Sequence, residues 1–155
     1  MDRFKDVVEI WDNGVVSPFN PPTEDIVAWL SDFFARTGAR MRVATQWTFQ
    51  GRKYQSKKCP VPIPDYSGLV YPTNDCKQWI VLNPDGTTRM TIDVPKIRPQ
   101  SSPENGELGE PRYMKENPLH IMYGEGSDGY RNDCRFFFNM HTGKLENVEL
   151  VGRHW

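Results

Sequence analysis

The sequence predicts an α+β domain in which a curved antiparallel sheet packs on N-terminal helices. Two observations predict it. Apolar residues recur at helical spacing up to Arg36, and after Gly38 the period changes from 3.6 to 2. From there on, turn residues rich in Pro, Gly and Asn separate one strand-like run from the next. With 155 residues the chain can bury a core of its own, so a single domain over 1–155 is expected.

Composition narrows the function classes. Nineteen Lys plus Arg against twenty Asp plus Glu leave a formal charge of −1, which argues against a cationic grip on nucleic acid. The compact basic patch of Arg52, Lys53, Lys57 and Lys58 reads as a solvated loop. No run approaches the roughly 18 apolar residues of a membrane span, and the first residues lack the apolar core of a secretion signal. Cys59, Cys76 and Cys134 are odd in number and widely spaced, the pattern of reduced thiols in a cytoplasmic protein.

Taken in order, Phe4, Val7, Val8 and Trp11 stand at i, i+3, i+4 and i+7, which predicts a short amphipathic helix ended by Asn13-Gly14. Thr23 is placed to cap a second helix whose face is Ile26, Trp29, Leu30, Phe33 and Phe34, with Gly38 closing it. Met41, Val43, Thr45, Trp47 and Phe49 alternate with more polar residues and predict a strand buried on one face. Prolines at alternate positions from Pro60 to Pro64 keep 55–75 out of a central ladder and predict an ordered loop. Runs 77–82 and 87–94 flank Asn83-Pro84-Asp85-Gly86, a strong hairpin signal. The interval 95–118 carries little periodicity and predicts a loop or cover. Strands follow at 119–123, 130–140 and 144–151, separated by the glycine-rich 124–129 and by His141-Thr142-Gly143.

The segment from Tyr130 to Val151 carries an aromatic strand (Phe136, Phe137, Phe138), a Gly143-Lys144 turn and an acidic return strand with Glu146 and Glu149. It resembles the terminal hairpin of the nuclear-transport-factor-like cone fold, in its polyketide-cyclase-like and phenazine-biosynthesis-like branches. That resemblance implies a cone-shaped sheet around an apolar pocket, a homodimer, and chemistry without cofactor or metal. A small β-barrel of lipocalin type is the structural alternative.

Within that frame His120 is the leading residue for proton transfer, because an imidazole titrates near neutral pH. Asp93 and Glu149 are candidates for orienting it or stabilising charge. Trp47, Trp79, Tyr123 and Tyr130 offer ligand walls with polar handles, and Arg135, inside an aromatic strand, is placed to meet a carboxylate or an anionic ligand. The three histidines, His120, His141 and His154, show no metal-ligand spacing, and Gly124, Gly126 and Gly129 do not make a phosphate loop.

Three functions follow. One is a cofactor-independent isomerase, cyclase or dehydratase (a lyase) acting in biosynthesis on a small apolar or aromatic metabolite. The second is a non-catalytic domain binding a small organic ligand. The third is a structural or assembly protein with a partner interface. Whether the chain is an enzyme stays open at the level of sequence.

Overall fold

The computed structural model describes residues 2–19 and 25–153. They divide into two compact units, the described residues of 2–60 and those of 61–153. Thr23 and His154 lie outside the described residues.

The first unit carries a four-stranded antiparallel sheet in the order β2-β1-β3-β4, built from β1 (Lys5–Trp11), β2 (Val16–Pro18), β3 (Arg42–Phe49) and β4 (Arg52–Ser56). The segment expected to be the first helix is thus strand β1. Val7, Val8 and Ile10 are β-branched and favour the pleated backbone. Asp6 takes a left-handed φ of 55°, and the pairing with β3 shifts register there and again at Trp11. Those irregularities reset the alternation, so Phe4 and Trp11 are both buried and imitate a helical stripe.

Helix α1 (Ile26–Thr37) forms and ends where expected, but it starts later than a Thr23 cap would place it, because Asp25 is its N-cap. The Asp25 carboxylate accepts from the Ala28 N–H at 3.0 Å, and Gly38 ends the helix at φ 76°. Phe33 is buried against Trp11, with Trp29 stacked on it and Phe34 edge-on. Ile26 and Val27 stay exposed, so the buried stripe is narrower than the apolar sequence face.

The second unit holds two further four-stranded antiparallel sheets. One has the order β5-β6-β7-β8, from β5 (Val61–Pro62), β6 (Leu69–Pro72), β7 (Gln78–Leu82) and β8 (Thr88–Asp93). The other has the order β12-β11-β10-β9, from β9 (Glu107–Leu108), β10 (Ile121–Ser127), β11 (Asn132–Asn139) and β12 (Leu145–Arg153). They share one core, in which Val70, Trp79, Val81 and Ile92 meet Leu108, Met122, Phe136 and Phe138.

This architecture corrects both the cone and the lipocalin-type barrel. The described residues form three separate open four-stranded sheets and one α-helix, whereas either expected fold needs a single sheet curled round a cavity. The Tyr130–Val151 hairpin is real, as β11 and β12, but Gly-Lys turns join antiparallel strands in many folds.

Both proline-rich intervals contribute structure. Pro62 and Pro72 sit at strand ends, where a missing donor costs little. The run 124–129 is mostly strand, because β10 passes close to its neighbours. A Cβ on Gly124 would stand 2.6 Å from the Trp79 ring, so only glycine permits that approach. The interval 95–118 is tied down at Asp128, a fully buried carboxylate that accepts from Arg98 and Ser101 (both 3.2 Å) and from Asn132 (2.9 Å).

Candidate functional site

The outer face of the β9–β12 sheet, opposite the core, carries a groove of about 560 Å³. Strand register builds its floor. Tyr123 pairs with Phe137, and Phe137 with Asn147, so one row of side chains crosses three strands. The next row is Glu125, Arg135 and Glu149. Residues 114–118 form a wall: Asn117 N–H bonds the Met114 carbonyl at 3.1 Å, and Ile121 N–H bonds the Pro118 carbonyl at 3.0 Å. Those turns set Glu116 and His120 at the rim.

Charge distinguishes the groove. Glu116, Glu146 and Glu149 line it, and its described lining contains no Lys or Arg. Arg135 stands beside it, 3.3 Å from Glu125 and 3.7 Å from Glu149, with its guanidinium 5.9 Å from the centre of the Tyr123 ring. Glu146 accepts from Asn139 at 3.2 Å. The described lining of the groove is therefore acidic.

His120 is half-buried and stacks on His141, with ring centres 5.2 Å apart. His141 Nε2 lies 2.6 Å from Asp65 Oδ2. Burial pushes the Asp65 carboxyl up, but hydrogen bonds from Ser67 and His141 outweigh it and hold the group below its ordinary range.

The structure therefore brings His120 and Glu149 into one groove, with Arg135 and Tyr123 beside them. Asp93 stands elsewhere, accepting from Gln78 Nε2 at 2.6 Å at the end of β8. Trp79 is wholly buried, its indole N–H bonded to the Gly109 carbonyl at 2.7 Å. Trp47 is buried in the first unit, stacked on Tyr54. Tyr130 has the guanidinium groups of Arg98 and Arg131 at 5.3 and 5.2 Å from its ring centre.

Sequence reasoning passed over Glu116, Glu146, Asn147 and Phe137 as site residues. The acidic return strand was the usable signal for Glu146. Nothing in the sequence separates Glu116 from other loop carboxylates. Among the described residues no three His, Cys, Asp or Glu side chains gather closely enough to hold a metal ion. The isomerase, cyclase and lyase expectation rested on the closed cone and its enclosed pocket, and an open groove on an uncurled sheet withdraws it.

No protein-family model matches this chain. No curated protein matches it either. Among solved structures it is similar to a chain of one described as "Structure of Tne2 in complex with Tni2", with a TM-score of 0.67 and 15% identity over 96% of this chain and 99% of that one. At that identity the likeness speaks for the fold. No helix among the described residues is long and apolar enough to cross a membrane.

Proposed function

We propose that this chain is a non-catalytic recognition protein whose acidic groove receives a cationic side chain from a partner protein. The observation that carries the reading is the groove itself: three carboxylates around a Phe137 floor, open to solvent on a sheet face. An arginine or lysine suits such a site, with its apolar stem along Pro118 and Ile121 and its charged head among the carboxylates. The similar chain belongs to a structure of one protein in complex with another, which supports a docking role for this fold. The unpaired Cys59, Cys76 and Cys134 support a cytoplasmic setting, where thiols stay reduced.

The test is titration with acetyl-arginine methylamide, followed by amide chemical shifts in the isotope-labelled protein. Shifts should concentrate at Phe137, Asn147 and Glu149, and should shrink in the Glu146→Gln/Glu149→Gln variant. Equal shifts with acetyl-glutamate methylamide, or none with the arginine probe, overturn the reading. A small organic cation is the second reading, favoured by a volume within the range of small-ligand sites. Phenylguanidine binding far more tightly than the arginine probe would select it.

A further inference from the structure

We propose that the free edge of β12 takes up an extended basic segment of a partner protein as an additional strand. This deepens the groove reading and rests on it. β12 ends the order β12-β11-β10-β9, and no strand among the described residues pairs with its far side. At nine residues it is long for an edge strand. Its ends are blunted by register shifts against β11 at Glu146 and Val151 and by Arg153, but the stretch 147–150 between them pairs without interruption and holds no proline or lysine. Instead Leu150 is 63% and Val151 51% exposed, and Leu145, Glu146, Asn147 and Glu149 are exposed as well. A strand this open offers unpaired N–H and C=O groups as a template.

Its two faces specify the occupant. Asn147 and Glu149 pair with Phe137 and Arg135 and point to the groove side, whereas Val148 and Leu150 pair with Phe136 and Cys134 on the core side. Along 147–150, between the two register shifts, an added strand alternates in the same way. Side chains on one face meet the groove carboxylates, and those on the other meet Val148 and Leu150. The complement is a segment in which basic and apolar residues alternate. A second copy of this chain would instead bring two sets of Glu146 and Glu149 to one edge, where like charges repel. Charge complementarity thus favours a basic partner.

The probe is the peptide acetyl-Arg-Val-Lys-Val-Arg-Val-amide. Its controls are a scrambled peptide (Arg-Arg-Lys-Val-Val-Val) and the parent N-methylated at alternate amides, which keeps the side chains but blocks pairing. The parent should bind at least ~10-fold more tightly than either control. It should also slow hydrogen exchange of amides in 147–151, and Leu150→Lys should weaken it. Because the N-methylated peptide leaves the protein unaltered, no folding defect can obscure the result. Equal binding of parent and N-methylated peptides overturns strand addition while the groove reading stands. Failure of the acetyl-arginine probe as well overturns both. A concentration-dependent dimer in sedimentation, abolished by Leu150→Lys, would assign the edge to a second copy and overturn the basic occupant.

Discussion

Arg135 Nη1 lies 3.7 Å from Glu149 Oε2, and the same guanidinium reaches Glu125 at 3.3 Å. One cation in β11 therefore stands between carboxylates on both neighbouring strands, at the border of the groove. The pairs are half-exposed, so they add little to stability. Their consequence is electrostatic: Arg135 offsets part of the charge that would otherwise attract a cationic ligand.

Replacing Arg135 with Met should strengthen binding of acetyl-arginine methylamide. A unit charge about 7 Å away in water is worth roughly 0.6 kcal/mol, which corresponds to about threefold in affinity. Titration of Arg135→Met beside the parent at low salt measures it. Unchanged or weaker binding would mean that Arg135 holds the groove's shape and does not compete for its charge.

Asp128 supports a pH prediction. Burial works to raise its carboxyl, but hydrogen bonds from Asn132, the Tyr130 N–H and Arg98 outweigh it and hold the group below its ordinary range. A depressed folded-state value means the ionised form stabilises the fold above the unfolded value, near pH 4, and that this contribution is lost as pH falls through the folded value. Asp128→Asn should cost about 2–3 kcal/mol at pH 7. The difference between parent and variant should narrow as pH falls below the ordinary carboxylate range. Urea unfolding across that range checks it, and a constant difference refutes the linkage.

Local chemistry was legible in the sequence and non-local pairing was not. Asn83-Pro84-Asp85-Gly86 needs only its own backbone to turn, and the β7–β8 hairpin follows from it, with Gly86 at φ 84°. The helix before Gly38 was equally readable. β1 was not, because the left-handed Asp6 shifts alternation in a way no periodicity rule carries. For the site, His120 and Glu149 were chosen singly on residue chemistry. Their meeting depends on the register of β10, β11 and β12 and on the turn at Pro118. Asp93 was chosen on the same grounds and stands with Gln78, since strand position alone does not tell which sheet a carboxylate joins.

The first unit should depend on Phe33 more than on any exposed apolar residue of its helix. Phe33 is 3% exposed among Trp11, Trp29 and Phe34, whereas Val27 is 73% exposed. Phe33→Ala should cost roughly 3–5 kcal/mol, and Val27→Ala less than about 0.5 kcal/mol. Denaturant midpoints followed by tryptophan fluorescence compare them. Similar midpoints would mean that the aromatic cluster contributes little to holding the helix.

The three thiols should separate by reactivity. Burial, reinforced by the nearby charges of Asp128 and Asp133, pushes Cys134 up to about 11, and the residue is wholly buried in β11. Cys59 is also raised, chiefly by burial, but it remains half-exposed. Cys76 is half-exposed in the turn before β7. Because the thiolate is the nucleophile, Cys134 is protected twice, by a scarce anion and by the core around it. At pH 8 in the native state, iodoacetamide should label Cys76 and, more slowly, Cys59, while Cys134 reacts only after unfolding. Peptide mass mapping after timed quenching reads all three positions in one experiment. In urea below the unfolding midpoint, the Cys134 rate should follow the fraction of open molecules, which makes it a label-based measure of the second unit's stability. Labelling of Cys134 in the native protein as fast as that of Cys76 would show that the β11 core opens far more readily than its packing implies.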